Sequence, residues 1–147
     1  MSRIFLAGAA GVIGRRLTAL LLAQGHSVWG ATRSPDKSEV LRKLGALPVV
    51  VDVFDAEASA TAVLEAKPEI VIHQLTDLAA VHDPAERSSA LARNARIRQE
   101  GTRNLVAVAE GWRASIDRAE HRLGLRAWHS ALWRRPPVRA CCFWIYA

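Results

Sequence analysis

The residues Ile4-Phe5-Leu6-Ala7-Gly8-Ala9-Ala10-Gly11-Val12-Ile13-Gly14 constrain the fold of this chain more than any other stretch. A short apolar run ends in three glycines at intervals of three residues, and a helical pattern begins at once. Gly8 is expected to let the chain leave a buried strand through a tight turn, where a Cβ would clash. Gly11 is expected to leave the backbone bare, so that a pyrophosphate reaches the amides at a helix N-terminus. Gly14 is expected to allow the helix to pack closely on the strand before it.

This spacing predicts a strand–turn–helix unit that binds a dinucleotide across its glycine loop. The alternative is a plain strand–turn–helix with incidental glycines, because glycine-rich turns are common. Three features favour the dinucleotide: an apolar strand before the glycines, a helix after them, and a position at the start of the chain.

Strand and helix patterns alternate four times along the first 110 residues, which is the rhythm of a parallel sheet. The predicted strands cover residues 3–7, 27–32, 48–51 and 70–73. Crossovers of this length place helices on both faces of the sheet. We therefore predict an α/β fold, a Rossmann-type doubly wound parallel sheet that is truncated at its C-terminus.

Two predicted helices carry apolar residues at helical spacing. The first helix has an apolar face formed by Ile13, Leu17, Leu20 and Leu21. The last helix is long, ends near Glu110, and has an apolar stripe formed by Ile97, Leu105 and Val108. Gly101 falls on that stripe, which predicts a point of close packing. Gly25 and Gly45 are expected to end the first two helices.

The net charge of +6 suggests a nucleic-acid partner, so the position of the charge matters. Residues 1–111 contain 13 Lys and Arg against 12 Asp and Glu, whereas residues 112–147 contain 7 against 2. The basicity, together with four of the five Trp, therefore belongs to a tail. We divide the chain into an incomplete NAD(P)-binding domain over 1–111 and a basic, Trp-rich tail over 112–147, and we expect no nucleic-acid partner.

Other classes of site are disfavoured by the residue pattern. The apolar runs are too short to span a bilayer, and the N-terminus carries no pattern of a secretion signal. Cys141 and Cys142 are adjacent and provide neither a disulfide framework nor metal-ligand spacing. His73 and His82 lie on different predicted elements, so no metal site is predicted. We expect a cytoplasmic protein with no membrane partner.

The end of the second predicted strand indicates which dinucleotide is bound. About twenty residues after the glycines, an NAD site places Asp or Glu against the ribose hydroxyls. Here the strand runs into Thr32-Arg33-Ser34, without an acid. A guanidinium binds a 2′-phosphate bidentately, whereas a carboxylate repels it. Arg33 therefore favours NADP, with NAD as the other possibility and Lys37 as a second phosphate ligand; the alternative is a solvated arginine.

Several further polar residues lie at predicted strand ends, where ligands of doubly wound sheets are bound. The glycine loop, Arg33, Asp52 and Gln74 would meet at one edge of the sheet because the strands are parallel. Taken alone, Asp52 and Asp55 are equally compatible with a solvated turn, and His73 with a buried strand histidine. The convergence of these positions predicts a site more strongly than any one motif.

Four segments together resemble the extended and atypical short-chain dehydrogenases/reductases, the NAD-dependent epimerase/dehydratase family. They are Gly8-x-x-Gly11-x-x-Gly14, Thr32-Arg33-Ser34-Pro35, Asp52-Val53-x-Asp55 and Glu100-Gly101-Thr102-Arg103-Asn104-Leu105. The resemblance covers residues 3 to 110. It implies hydride transfer between a nicotinamide cofactor and a small-molecule substrate, a sugar nucleotide or another hydroxyl or keto compound.

The resemblance also implies a cofactor site. The dinucleotide would lie across the glycine loop, which includes Ala10, Val12 and Ile13. Asp52 and Val53 would flank the adenine. The segment Gln74-Leu75-Thr76 would lie beside the nicotinamide ribose.

The catalytic half of the family pattern is missing from these 147 residues. The family uses a Tyr followed four residues later by Lys, and the Tyr transfers the proton. Here the single Tyr is Tyr146 and the last Lys is Lys67, so no Tyr-x-x-x-Lys occurs. Many members also carry Asn three residues before the helix Gly-Thr, where this chain has Arg98. We expect a catalytically incomplete oxidoreductase or epimerase domain; the alternative is a non-catalytic NADP(H)-binding sensor or regulatory protein.

The tail no longer alternates strand and helix patterns, and it is rich in both Arg and Trp. A change of reading frame in a GC-rich gene produces such a shift. One permitted codon choice for residues 117–129, read one nucleotide later, encodes Ile-Ala-Gln-Ser-Ile-Ala-Trp-Ala-Tyr-Ala-Pro-Gly. This peptide resembles the fifth strand and following loop of atypical short-chain dehydrogenases. We hypothesise that residues from about Trp112 are translated out of frame. The sheet would then lack its fifth strand, and Cys141, Cys142 and Tyr146 would have no role.

Overall fold

The computed structural model describes residues 1–77, 80–112 and 115–118. Its strands are β1 (Arg3–Ala7), β2 (Ser27–Thr32), β3 (Leu47–Val50), β4 (Ile70–His73) and β5 (Ser115–Arg118). They form one parallel sheet in the order β3-β2-β1-β4-β5. The chain therefore adds β2 and β3 on one side of β1, then crosses back and adds β4 and β5 on the other side.

The helices of the described residues are α1 (Val12–Ala23), α2 (Ser38–Lys43), α3 (Ala56–Ala66), α4 (Arg87–Arg96) and α5 (Thr102–Trp112). A short 3-10 helix, Pro35–Lys37, precedes α2, and a π-helical segment, Ile97–Gly101, joins α4 to α5 without a break. Within these segments no helix has both the length and the hydropathy that a bilayer crossing requires.

Two apolar cores cover the two faces of the sheet, which confirms the predicted doubly wound α/β class. Alternate residues of β1 point to opposite faces, as the pleat of a strand requires. Phe5 is packed in one core with Val63 of α3 and Leu105 of α5. Ile4 and Leu6 are packed in the other, which α1 and α2 cover. Residues of β1 are therefore buried on both sides, as expected of a central parallel strand.

The predicted bounds of β1, β2 and β4 are confirmed, whereas β3 begins and ends one residue earlier than predicted. Gly25 and Gly45 follow α1 and α2 with φ of +81° and +91°, so both act as helix ends as predicted. The prediction for Leu20 is wrong, because this side chain is 64% exposed. The buried face of α1 is centred on Gly14 and Thr18. On the helix these two residues lie on one side of the row Ile13–Leu17–Leu21, and Leu20 lies on the opposite side of that row.

The expectation that the sheet lacks a fifth strand is also wrong. β5 pairs in parallel with β4, with Ile70 opposite Ser115 and His73 opposite Arg118. The segment Ser-Ile-Asp-Arg contains a single apolar residue, so it gives no hydrophobic pattern from which a strand could be predicted. The predictions for Cys141, Cys142 and Tyr146 fall on residues outside the described part of the chain.

Candidate functional site

The first glycine of the loop is required by the fold itself. Gly8 has a φ of +88°, and a Cβ at this position would lie 2.7 Å from the carbonyl oxygen of Gln74. Its amide donates a hydrogen bond to the carbonyl oxygen of Ala31, at 3.2 Å. The turn after β1 is therefore fixed between the ends of β2 and β4, and only glycine combines this conformation with this proximity.

The last glycine of the loop brings α1 onto the end of β1. A Cβ on Gly14 would overlap the carbonyl oxygen of Gly8 and lie 2.8 Å from the Cα of Ala9. One turn later, the Thr18 hydroxyl donates to the Gly14 carbonyl oxygen at 2.8 Å. The close packing of helix on strand that the spacing predicted is therefore present.

Gly11 differs from both of these glycines. Its backbone is in an ordinary extended conformation, with φ −71° and ψ 173°, and it precedes α1 as the N-cap. A Cβ there would approach only the carbonyl oxygen of Gly8 within 4 Å, at 3.3 Å. Steric packing therefore excludes a side chain at position 11 less strongly than at positions 8 and 14.

The N-terminus of α1 presents free backbone donors next to Gly11. The first intrahelical bond runs from the amide of Arg15 to the carbonyl oxygen of Gly11, at 3.0 Å. The amides of Val12, Ile13 and Gly14 therefore precede the first intrahelical donor. Neither a side-chain cap nor an acidic residue occupies this first turn. These amides and the helix dipole together favour an anion.

Sheet order brings the other predicted residues to the same edge. The glycine loop follows β1, Arg33 follows β2, Asp52 and Val53 follow β3, and Gln74-Leu75-Thr76 follow β4. The chain order reverses between β1 and β4, so this edge is a topological switch point, where doubly wound sheets bind their ligands.

A cleft with a cavity volume of about 50 Å³ opens at this edge between the sheet and the long helix. Four predicted site residues line it: Arg33, Val53, Leu75 and Thr76. The other eight do not line it: Asp52, Gln74 and the glycine-loop residues Gly8, Ala10, Gly11, Val12, Ile13 and Gly14. Phe54 and Ser59 also line the cleft and were not predicted as site residues, and Ile97 and Leu105, predicted only as part of an apolar stripe, complete its wall. The cleft walls are largely apolar.

The turn after β2 is ordered by its own polar groups. The buried Thr32 side chain accepts a hydrogen bond from the amide of Ser34, at 3.2 Å. Arg33 and Lys37 are exposed, and neither forms an ion pair within the described residues. Of these two cations, Arg33 lines the cleft.

Both aspartates of the turn after β3 are exposed, and each accepts a hydrogen bond from a nearby backbone amide. The Asp52 carboxylate accepts from the amide of Phe54 at 3.0 Å. The Asp55 carboxylate accepts from the amide of Ala58 at 2.9 Å and caps α3. The Ser59 hydroxyl donates to the carbonyl oxygen of Asp52 at 3.3 Å.

The long helix holds the same turn from the other side. The Asn104 Nδ2 donates to the carbonyl oxygen of Val53 at 2.9 Å and to that of Phe54 at 3.4 Å. A Cβ on Gly101 would lie 3.1 Å from Val53 Cγ1, which confirms the predicted close packing. The Arg96 guanidinium lies 4.3 Å from the centre of the Phe54 ring.

The segment after β4 is tied to both the sheet and α4. The amide of Gln74 donates to the carbonyl oxygen of Ala7 at 2.8 Å, and the amide of Leu75 donates to His73 Nδ1 at 3.2 Å. His73 is 9% exposed and is therefore a buried strand histidine. The amide of Asp77 donates to Asn94 Oδ1 at 3.3 Å.

The parallel sheet with a glycine loop at its switch point defines a Rossmann-type domain. The chain belongs to the NAD-dependent epimerase/dehydratase family, whose model matches residues 4–123. The predicted resemblance is therefore confirmed, and the match continues past residue 111.

Relatives with known names include oxidoreductases. The chain is 42% identical over 111 residues to a 3-diazoavenalumate denitrifying reductase of Streptomyces, covering 73% of this chain and 33% of that protein. It is 32% identical over 73 residues to a decarboxylating sterol-4-alpha-carboxylate 3-dehydrogenase of Dictyostelium discoideum, covering 50% and 22%. The chain thus spans a third or less of the length of these curated relatives.

Solved structures share the fold. A UDP-glucose 4-epimerase of Stenotrophomonas with bound NAD superposes with a TM-score of 0.65 at 19% identity, over 82% of this chain and 37% of that one. A yeast methylglyoxal/isovaleraldehyde reductase complexed with NADPH gives 0.63 at 22% identity, over 80% and 36%. At these identities the likeness shows the fold alone.

Proposed function

We propose that this chain binds a nicotinamide dinucleotide across the glycine loop, with the pyrophosphate against the first turn of α1. The main support for this proposal is Gly11. The fold requires glycine at positions 8 and 14, whereas Gly11 has an ordinary backbone conformation that does not require glycine. A missing Cβ beside free helix amides is the arrangement that lets a pyrophosphate approach. The dinucleotides bound to the solved relatives support it.

The adenine half belongs in the cleft beside the turn after β3. The apolar side chain of Val53 would pack against one face of the adenine. The carboxylate of Asp52 keeps acceptor capacity after binding the amide of Phe54, so it would accept from the adenine amino group. The nicotinamide half would then lie across the switch point, beside Gln74-Leu75-Thr76.

Arg33 favours NADP(H) over NAD(H). It replaces the acid that binds ribose hydroxyls in NAD sites, and it is exposed at the mouth of the cleft with Lys37 nearby along the chain. Because no carboxylate of the described residues pairs with this guanidinium, it is available for a 2′-phosphate. NAD(H) remains the weaker ligand in this proposal.

The activity implied by family membership is hydride transfer on a small hydroxyl or keto substrate. These 147 residues lack the Tyr-x-x-x-Lys that transfers the proton in the family, so we propose that the chain binds cofactor and is catalytically incomplete. The same absence favours a second candidate, a non-catalytic NADP(H)-binding sensor. A folded partner surface beyond residue 118 would distinguish the sensor from an incomplete enzyme.

We also propose that the basic tail is translated out of frame. Because β5 ends at Arg118 and the family match ends at residue 123, the change of frame would fall later than the position near Trp112 that composition suggested. The high Arg and Trp content of the tail would then reflect codon composition, with no nucleic-acid partner.

An equilibrium titration of the purified chain with NADPH and with NADH, at one fixed salt concentration, tests the proposal. We expect both to bind and NADPH to bind more tightly. Equal or tighter binding of NADH overturns the preference, whereas no binding of either overturns the proposed function.

A further inference from the structure

Two asparagines on one continuous helical rod contact the two loops that flank the cleft. Asn94 lies on α4 and Asn104 on α5, ten positions or about 15 Å apart along the axis. The π-helical segment lies between them, with Ile97 on the cleft wall and Gly101 against Val53. The rod therefore runs along the cleft from one loop to the other.

Asn104 determines where the turn after β3 sits. Its Nδ2 group donates to two consecutive carbonyl oxygens, those of Val53 and Phe54, from 51 and 50 residues away along the chain. Because Asn104 binds both carbonyl oxygens, the amide and side chain of Val53 have a fixed position relative to the cleft. Loss of this donor would leave both carbonyls unpaired by the helix.

Asn94 plays the corresponding role for the segment after β4, with the opposite polarity. Its buried Oδ1 accepts from the amide of Asp77, the residue that directly follows Gln74-Leu75-Thr76. Arg93, its neighbour, reinforces the contact through Nε at 2.8 Å from Asp77 Oδ2. The side chains of α4 thus hold the backbone and the carboxylate of the same residue.

We infer that Asn94 and Asn104 are positioning residues of the cofactor site, each serving one half of the dinucleotide. Asn104 holds the turn that receives the adenine, and Asn94 holds the segment beside the nicotinamide ribose. The inference rests on the proposed function. The inference goes beyond the proposed function because it assigns one half of the dinucleotide to each of two residues that do not contact the dinucleotide.

The test compares wild type, Asn104→Ala and Asn94→Ala with three ligands. The ligands are NADPH, its hypoxanthine analogue, and 2′-phospho-ADP, which lacks the whole nicotinamide riboside. The first ratio of dissociation constants, analogue over NADPH, reports discrimination at the adenine. The second, 2′-phospho-ADP over NADPH, reports the contribution of the nicotinamide and its ribose. Each ratio is taken on one preparation, so a change in the folded fraction cancels.

We expect a crossed result. Asn104→Ala should lower the adenine ratio about 3- to 10-fold and leave the nicotinamide ratio unchanged, since one lost hydrogen bond is on this scale. Asn94→Ala should do the reverse. Two ratios that fall in the same proportion in both variants, or that do not move, overturn the inference. A wild-type chain that binds none of the ligands overturns the proposed function instead.

An isosteric pair adds a stricter test. Asn104→Asp keeps the shape but replaces the donor by an acceptor that faces two carbonyl oxygens, so the adenine ratio should fall as in the alanine variant. Asn94→Asp keeps an acceptor at the position of Oδ1, so the nicotinamide ratio should be retained. A fall of the nicotinamide ratio in Asn94→Asp, at a melting temperature that leaves the variant folded, contradicts the assigned polarity.

Discussion

The Cα of Gly8 faces the backbone of Gln74 so closely that a Cβ would lie 2.7 Å from its carbonyl oxygen and 2.8 Å from its carbonyl carbon. This proximity joins the loop after β1 to the segment after β4, the two connections on either side of the switch point. The loop is further anchored by the hydrogen bond from Gly8 to Ala31 of β2. Three strand ends are therefore held together by backbone alone.

We expect Gly8→Ala to destabilise the fold more than Gly25→Ala. Both glycines have positive φ, +88° and +81°, so each alanine costs about 1–2 kcal/mol in backbone strain. Among the described residues, no atom lies within 4 Å of a Cβ at position 25, whereas position 8 adds a clash of about 1–3 kcal/mol. Urea denaturation of the two variants measures the difference. Equal midpoints would show that the contact with Gln74 relaxes at no cost.

Gly11→Ala should separate binding from stability. Its φ and ψ suit alanine, so the free energy of unfolding should change by no more than about 1 kcal/mol. A Cβ beside the free amides should weaken dinucleotide binding about tenfold or more, a loss of about 1.4 kcal/mol. Calorimetric titration and thermal melting are measured on the same preparation. Wild-type affinity in this variant would remove the pyrophosphate from this position.

Arg33→Ala should lower NADPH affinity by about 1.5–3 kcal/mol, the scale of a hydrogen bond to a charged group, and leave NADH affinity unchanged. Arg42→Ala provides the control, because Arg42 is also exposed but lies in α2 in an ion pair with Glu39 at 3.3 Å. Titration of both variants with both cofactors measures this. A uniform loss for NADPH and NADH would contradict the 2′-phosphate role.

The strands and the glycine loop could be predicted because their signals are local. β1 is a continuous apolar run, and Gly8 and Gly14 stand where the backbone excludes other residues. The contacts of Asn104 could not be predicted, because its partners lie about fifty residues away and nothing in the sequence pairs them. Leu20 shows the same limit, since an apolar residue at near-helical spacing does not reveal where the buried face is centred.

The purified chain should show no dehydrogenase or epimerase turnover. Without Tyr-x-x-x-Lys, general acid–base assistance of roughly 10²–10⁴ is missing. The absorbance of the reduced nicotinamide, followed with hydroxyl and keto substrates, measures hydride transfer. Robust cofactor-dependent turnover that persists in Tyr146→Phe would mean that another residue transfers the proton.

Sequencing the gene downstream of codon 110 tests the proposed change of frame. We expect an alternative frame that begins after codon 118 to continue a dehydrogenase-like chain. The absence of such a frame would make the basic tail a genuine part of the protein.

Backbone amide chemical shifts recorded during an NADPH titration test the central claim most directly, because they report both binding and its location. We predict saturable shifts concentrated at Val12 and Ile13 in the first turn of α1, at Val53, and at Leu75. Little should change at the opposite end of the sheet, around Ser27 and Glu69, where β2 and β4 begin. Shifts confined to that end, or no shifts at all, would contradict a dinucleotide site at the glycine loop.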